Sequence, residues 1–375
     1  MRNTSTASAA VPPIPPAGGK GDSWLLRLQR LVDRHAHLAK NGSRIASSGT
    51  KQARVARLKQ CFRDLRELGY MLPDPAGLKP KHVVALVKHW EQKGLSAATI
   101  QNRVSVLRSL AQWIGKDGMV RDTVSYASSA ERVRVTTSAV APKTWSDNGV
   151  DIEAKLGEIA RHDAFVWIQT CMALVFGLRR KEAVMMKPNR ADRGDLLFVT
   201  DGTKGGRDRV VPIDSDIKRR TLDIAKMLVG PALNAHLGGP RNRTLQQALK
   251  RYDNVLYRCD VNHAKMKVSG HGLRHEYMNN RYEQITGELS PVRGGRRPPR
   301  ALEAFARAVV AEEGGHTRTT IGSSYYGSHA NLKKAATRAQ ANAVEDGARQ
   351  QAPGSPEVAV APRPDGREGG SEPAS

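Results

Sequence analysis

The chain has 375 residues, 39% of them hydrophobic, which is enough for more than one folded core. Lysine and arginine outnumber aspartate and glutamate by 60 to 36, and the net charge of +24 favours a polyanionic partner, with nucleic acid the leading candidate. No apolar run approaches the roughly 18 residues of a membrane span, which argues against a membrane protein.

The two ends of the sequence predict disorder. Residues 1–22 contain four prolines and lack the unbroken apolar segment of a secretory signal, so we expect a disordered leader. Residues 341–375 are rich in Pro, Gly, Ser and Ala and carry a net negative charge, which predicts a disordered tail. The 3 cysteines are far apart and odd in number, which indicates no disulfide framework and fits a reducing cytoplasm.

Residues 23–115 predict a domain of four helices. Apolar residues repeat at helical spacing in segments that begin near Trp24, Val55, Lys81 and Ser96. The fourth helix carries polar residues on its outward side, Gln101, Asn102 and Arg103. These residues are candidates for contacts with DNA bases, although outward polar side chains are more often only solvated.

The rest of the chain predicts a linker and a second domain. Residues 116–150 have little periodicity and indicate an interdomain linker. Residues 151–340 predict mostly helix, with one hairpin in which "DLLFVT" and "RVVPI" flank the turn "DGTKGGRD". The expected fold class is therefore mainly α with a small β-hairpin, in which a four-helix domain precedes a mixed α+β domain.

Residue types that bind phosphate or transfer protons are grouped in four separate pieces of the second domain. These pieces are "GLRRKE" at 177–182, "TKGGRDRVVPI" at 203–213, "HGLRH" at 271–275 and "GGHTRTTIGSSYYGS" at 314–328. Each piece alone is weak, since a single arginine or lysine is usually a solvated surface charge. A phosphodiester is an anion, so a neutral hydroxyl attacks it only when guanidinium groups stabilise the charge that develops on its oxygens.

Taken in order, the four pieces resemble the tyrosine recombinase family, the phage-integrase type of site-specific recombinases. The resemblance covers roughly residues 24–330 and includes the four-helix region, which is similar to the family's core-binding (SAM-like) domain. It implies six catalytic residues, which are Arg179, Lys204, His271, Arg274, His316 and Tyr325.

The resemblance also implies a role for each of these residues. The two arginines bind the phosphate, His271 exchanges protons and His316 donates a hydrogen bond to the phosphate. Lys204 protonates the leaving 5′ hydroxyl, and the nine-residue interval from His316 selects Tyr325 as the nucleophile and leaves Tyr326 to pack. Glu182 either supports the site or belongs to a helix-surface ion pair.

The function that the resemblance implies is cutting and rejoining of DNA through a 3′-phosphotyrosyl intermediate and a Holliday junction, to integrate or excise a mobile element. It implies double-stranded attachment sites, a homotetramer on paired sites, no metal or nucleotide cofactor, and a location at the nucleoid in a bacterial cytoplasm. A DNA-bending accessory protein or a directionality factor is a further candidate partner. Arg207, beside Lys204, is a further candidate DNA contact.

Three alternatives stay open at this point. The first is a DNA-binding regulator without activity, and the second is a type IB topoisomerase that uses the same phosphotyrosine chemistry. The third is a zinc site. Its pattern is weak, because the spacing of the possible ligands, Cys259, His263, His271 and His275, matches no structural zinc signature.

The sequence departs from the family pattern in two places. Gly314 stands where an apolar residue is usual. The insertion "GELSPVRGGRRPPR" at 287–300 is the second departure, and we expect it to loop over the surface or along DNA.

Overall fold

The structure is a computed structural model and describes residues 23–36, 45–239 and 243–350. The predicted leader, and the tail from residue 351 onward, lie outside the described residues. The chain divides into two compact units between Thr137 and Ser138. No helix within the described ranges is long and apolar enough to cross a membrane.

The first unit is built on four helices, as the sequence predicts. They are α1 Trp24–His35, α2 Ser48–Glu67, α3 Pro80–Gln92 and α4 Ala97–Trp113. Ser23, Ser47 and Ser96 each accept a backbone N–H in the first turn of the helix that follows, which fixes where α1, α2 and α4 begin. Leucine, valine and aromatic side chains from all four helices form one core.

The second unit is mostly helical, with a single two-stranded sheet among the described residues. Its elements are α5 Ile152–His162, α6 Ala164–Phe176, α7 Arg180–Met185, α8 Pro188–Ala191, β1 Leu196–Val199, β2 Arg209–Pro212, α9 Asp216–Val229, α10 Leu245–Arg258, α11 Gly272–Thr286, α12 Arg300–Glu313, α13 Ser323–Tyr326 and α14 His329–Gln350. The strands are antiparallel, with Leu197 opposite Val211. The predicted fold class is therefore confirmed, and α6 and α11 lie at the centre of the unit, where they contact each other.

The segment predicted as a linker, 116–150, is mostly packed. Tyr126 and Val133 are buried in the core of the first unit, and the Tyr126 hydroxyl accepts the backbone N–H of Arg121 at 2.7 Å. Trp145 is fully buried in the second unit, and its indole N–H donates to the Ser269 carbonyl at 2.8 Å. Weak periodicity hid these anchors because each is a single buried side chain rather than part of a helical stripe.

Two further segments differ from the sequence-based expectation. Helix α14 continues to Gln350, ten residues into the predicted tail, because this stretch is rich in alanine and other strong helix formers. Within the insertion 287–300, residues Ser290 to Val292 are buried instead of looping over the surface. Arg293 forms ion pairs with Asp147, Glu276 and Glu283, which holds this part of the insertion against the unit.

One buried carboxylate joins three helices of the first unit. Asp64 on α2 is 2% exposed and accepts hydrogen bonds from the Trp90 indole on α3 and from Arg103 on α4, each at 2.7 Å. Because both donors are largely buried, loss of the carboxylate leaves a guanidinium and an indole N–H without partners.

We expect Asp64→Ala to lower the free energy of unfolding by about 3 to 5 kcal/mol, because it leaves Arg103 an unpaired buried charge. Glu67→Ala is the control, since its ion pair with Lys93 is solvent-exposed and such pairs contribute about 1 kcal/mol or less. Urea denaturation followed by tryptophan fluorescence measures both changes. Equal losses in the two variants would contradict the role given to Asp64.

Candidate active site

Arg179 is positioned by the sharp end of α6. Gly177 ends that helix with φ +61°, a left-handed conformation that favours glycine, and a Cβ there would lie 2.4 Å from the Tyr277 ring. The chain therefore turns at once into α7, with Arg179 at its N-cap position. Glu182 in the first turn accepts the Arg179 backbone N–H at 2.7 Å and its Nη1 at 2.8 Å.

Glu182 is fully buried and holds two arginines. Arg209 on β2, also buried, donates from both Nη1 and Nη2 to the two Glu182 oxygens, each at 2.8 Å. Burial alone would raise the pKa of Glu182, but the hydrogen bonds and charge of Arg209, together with the charge of Arg179, lower it to about 2. Of the two sequence-based readings of Glu182, support of the site is therefore the one that its position favours.

Arg274 on α11 is buried without a carboxylate partner among the described residues. Its guanidinium donates to the Gly177 carbonyl, to the Gly314 carbonyl at 2.6 Å and to the Tyr325 hydroxyl at 3.0 Å. Burial lowers its pKa to about 10. Removal of a cation from water is unfavourable without an anion nearby, so this position is suited to bind one.

The Gly314 carbonyl joins the two arginines, since it also accepts Arg179 Nη2 at 2.8 Å. A Cβ at Gly314 would lie 2.8 Å from the His316 ring and 2.9 Å from the Val310 carbonyl. The family usually has an apolar residue at position 314. Glycine stands there in this chain because the close approach of His316 leaves no room for a side chain.

Three histidine rings surround the ring of Tyr325. The centroid distances from His275, His316 and His271 to Tyr325 are 4.7, 5.6 and 6.0 Å. His316 Nε2 also lies 3.3 Å from Arg274 Nη2.

All three histidines have lowered pKa values. Loss of hydration is the largest cause in each case, and it lowers the pKa of His275 and of His316 to about 3. The pKa of His271 falls to about 4 through the same loss of hydration and through the charges of Arg274 and Arg179, although part of the residue stays exposed. All three rings are therefore neutral at pH 7 in the protein without DNA.

The two adjacent tyrosines occupy different environments. Tyr325 is 5% exposed and its hydroxyl faces Arg274. Tyr326 is fully buried, stacks on Tyr282 at 5.0 Å between centroids, and its hydroxyl has no hydrogen-bond partner among the described residues. Of the two, Tyr325 is the residue that the fold brings together with the arginines and histidines.

Lys204 and Arg207 lie on the exposed turn between β1 and β2. Lys204 begins a 3-10 turn, Lys204–Gly206, and within the described residues its amine forms no hydrogen bond or ion pair. Its positive charge contributes to the low pKa of His316, after burial and three arginines. Arg207 is exposed.

The candidate base-reading residues of α4 are partly engaged within the first unit. The Gln101 side chain donates to the Val133 carbonyl at 2.6 Å, and Arg103 lies 5.1 Å from the Trp90 ring centroid while it pairs with Asp64. Asn102 is exposed. Of these three side chains, Asn102 is the one that is open to a partner.

Arg209 was not among the sequence-based candidates, yet it completes the carboxylate network. The alternating pattern of β2 held a signal, since Arg209 is on the same buried face of the strand as Val211. A buried arginine needs hydrogen-bond acceptors, and Glu182 supplies them to Arg209. The weak zinc pattern is not assembled, because Cys259 is grouped with Glu158 and His162 instead of the three histidines of that pattern.

Two family models match the sequence. "Phage integrase, N-terminal" matches residues 28–120 and "Integrase" matches residues 133–280. Together they cover more than half of the chain, which therefore belongs to the phage integrase family of tyrosine-type site-specific recombinases, which are enzymes. None of the curated protein sequences compared with the chain matches it significantly.

Solved structures of integrases share the fold. A lambda integrase dimer bound to a COC′ core site is 16% identical with a TM-score of 0.53, over 80% of this chain and 77% of that chain. A lambda integrase tetramer bound to a Holliday junction is 15% identical with a TM-score of 0.52, over 80% and 76%. The Tn1549 transposon integrase in complex with transposon right end DNA is 14% identical with a TM-score of 0.51, over 84% and 99%. Because the identities are low, the likeness shows the fold alone.

Ionisation of Glu182 should be visible in the pH dependence of stability. Its pKa is about 2 in the folded protein, below the ordinary 4.5, so its stabilising effect is complete above about pH 4.5 and is lost as the pH falls toward 2. We expect the difference in free energy of unfolding between wild type and Glu182→Gln to be largest near neutral pH. It should shrink steadily as the pH drops below about 4.5.

Urea titrations at a series of pH values measure this difference. Glu312→Gln, at an exposed position on α12, is the matched control, and its difference from wild type should stay small at every pH. A Glu182→Gln difference that does not vary with pH would show that the carboxylate charge does not hold the arginines.

Proposed function

We propose that this recombinase cuts and rejoins DNA through a covalent 3′-phosphotyrosyl intermediate on Tyr325. The observation that carries the proposal is the buried Arg274 guanidinium, which has no carboxylate partner among the described residues and lies 3.0 Å from the Tyr325 hydroxyl. A phosphodiester is the anion that suits this position, and the tyrosine is already beside it.

The first step forms one bond and breaks another. The Tyr325 oxygen attacks phosphorus as its proton passes to His271, and the bond from phosphorus to the 5′ oxygen breaks. Lys204 delivers a proton to the leaving 5′ oxygen, which becomes a hydroxyl. Arg274 and Arg179 bind the nonbridging oxygens, with His316 as a further donor. In the protein without DNA the Tyr325 hydroxyl accepts from Arg274 Nε, so the entering phosphate takes over the Arg274 donor and frees the hydroxyl.

His271 is the proton acceptor and donor beside Tyr325 in this proposal. It is neutral in the free protein because lost hydration and the nearby arginine charges hold its pKa near 4, so it has a free lone pair for the tyrosine proton. A bound phosphate brings negative charge into the site and raises this pKa toward the value at which the ring keeps that proton. Rejoining runs the same steps in reverse from a new 5′ hydroxyl.

The same chemistry, repeated in sequence, exchanges strands between two duplexes through a Holliday junction. Each exchange uses one nucleophile from each of two protomers, so a complete reaction on paired sites needs four protomers. We propose that the chain acts as such a homotetramer and that its substrate is the attachment site of a phage or another integrative mobile element. The family membership and the net charge of +24 support this assignment.

Two other outcomes are distinguishable in experiments. A DNA-binding regulator without activity forms no covalent complex with any DNA. A type IB topoisomerase relaxes a supercoiled plasmid that lacks an attachment site and gives no intermolecular products. Our proposal requires both a covalent complex and products that join two sites.

The nucleophile is tested with a nicked suicide duplex that carries a candidate attachment site. Wild type should leave a covalent protein–DNA band on a denaturing gel. Tyr325→Phe should abolish the band because the attacking oxygen is missing. Tyr326→Phe is the matched control and should keep the band, because the Tyr326 hydroxyl has no partner in the described part of the chain. A band from Tyr325→Phe that is missing from Tyr326→Phe would reverse the assignment.

The role of Lys204 is tested with a duplex in which sulfur replaces the bridging 5′ oxygen at the cleavage position. We expect Lys204→Ala to slow cleavage of ordinary DNA by about 10² to 10⁴, the usual contribution of a general acid. Its rate on the sulfur substrate should approach that of wild type, because a thiolate leaves without a proton. Arg274→Ala should stay slow on both substrates. A Lys204→Ala defect of equal size on both substrates would exclude the acid role.

A further inference from the structure

A second lysine lies beside the site on a segment outside the four sequence pieces. Residues 143–146 pack against the first turn of α11. A Cβ at Gly272 would lie 2.8 Å from the Lys143 carbonyl oxygen and 2.7 Å from the Trp145 ring. Glycine at 272 therefore allows this segment to lie directly against the turn that begins with His271.

Several hydrogen bonds fix the segment in that place. The Trp145 indole donates to the Ser269 carbonyl at 2.8 Å, and its backbone N–H donates to Glu276 at 3.1 Å. The Ser146 hydroxyl donates to Glu276 at 2.6 Å, and the same carboxylate pairs with Arg293. These bonds hold the segment that follows Lys143 against Ser269, before Arg274 in the chain, and against Glu276, after it.

The Lys143 side chain is exposed, and its amine forms no hydrogen bond or ion pair with another described residue. Its positive charge lowers the pKa of both His271 and His275, after lost hydration and in addition to other positive groups. Exposed lysines are common on any protein surface, and Lys143 is distinguished by its backbone, which lies directly against the first turn of α11 beside His271. Lys143 thus carries a positive charge that no acidic side chain among the described residues neutralises.

The site is therefore bordered by lysines from two separate segments. Lys204 lies on the hairpin turn and its charge lowers the pKa of His316, whereas Lys143 lies on the segment before α5 and its charge lowers the pKa of His271. The interior between them holds three guanidiniums, of Arg179, Arg209 and Arg274, and one carboxylate, of Glu182. An excess of positive charge that converges from several elements is what a DNA strand with more than one phosphate in contact requires.

We propose that Lys143 binds the DNA backbone in the active site, at the scissile phosphate or the phosphate next to it. This contact rests on the proposed function and adds a residue to it. Lys143 acts through its charge on a nonbridging oxygen, while the leaving group stays with Lys204. Lys143 is thus a catalytic residue if it touches the scissile phosphate and a positioning residue if it touches the neighbouring one.

The first experiment compares cleavage rates on the nicked suicide duplex for wild type, Lys143→Ala, Lys143→Arg and Lys250→Ala. The control, Lys250, is exposed on α10 of the same unit and has no described partner. We expect Lys143→Ala to cleave about tenfold more slowly or worse, as for loss of a charged hydrogen bond, whereas Lys143→Arg and the control stay near wild type. Circular dichroism checks that each variant is folded.

A neutral methylphosphonate, placed at one backbone position at a time, then locates the contact. At the phosphate that Lys143 binds, the rate difference between wild type and Lys143→Ala should disappear, since no charge remains there to be bound. A difference that persists with the methylphosphonate at the scissile position and at both neighbouring positions would overturn the proposal. A Lys143→Ala rate equal to wild type on ordinary DNA would overturn it as well.

A measurement without DNA separates this inference from the proposed function. Because the Lys143 charge lowers the pKa of His271, Lys143→Ala should raise that pKa in an NMR titration of the free protein, and Lys250→Ala should not. An unmoved His271 pKa would show that the lysine does not face the site. If wild type forms no covalent complex, the proposed function and this contact fail together, whereas a wild-type complex with an unaffected Lys143→Ala rate removes the contact alone.

Discussion

The candidate active site depends on one buried cation that has no acidic partner in the described chain. Arg274 lies on the central helix of the second unit, fully buried, and its hydrogen bonds go to two carbonyls, a phenol and an imidazole. Burial of a guanidinium costs several kcal/mol even after the surroundings relax. The carbonyls offset part of this cost, and the rest is an electrostatic preference for an anion at this position.

The surrounding framework keeps the other arginines in place without neutralising the site. Glu182 is shared between Arg179 and Arg209, so a single carboxylate orients two guanidiniums and leaves an excess of positive charge. The Gly314 carbonyl links Arg179 to Arg274. Lost hydration is the largest cause of the neutral histidines in the free protein, and this charge excess adds to it. Entry of a phosphate should therefore change their protonation.

The fold and most of the candidate site could be predicted because their signals are local. Helical periodicity located the helices of the first unit, and the order of four short pieces selected residues most of which the structure does bring together. The choice of Tyr325 over Tyr326 rested on a spacing of nine residues, and the burial of Tyr326 against Tyr282 supports the same choice.

The features that could not be predicted depend on contacts between distant parts of the chain. Arg209 binds Glu182, which is 27 residues away in the sequence, and Trp145 binds Ser269, which is 124 residues away. A residue pattern of period 2 or 3.6 carries no information over such separations. The candidate DNA contacts Gln101 and Arg103 look like solvent-facing residues on a helical wheel, yet both bind within their own unit. The outward position of a side chain on its own helix does not show whether another segment packs against it.

The central claim is that the buried Arg274 presents a DNA phosphate to Tyr325. The most direct measurement is mass spectrometry of the covalent complex after digestion with a nuclease and a protease. We expect a nucleotide joined through its 3′ phosphate to the Tyr325 oxygen, in the peptide around residues 319–333. An adduct on Tyr326, on another residue or on none would contradict it.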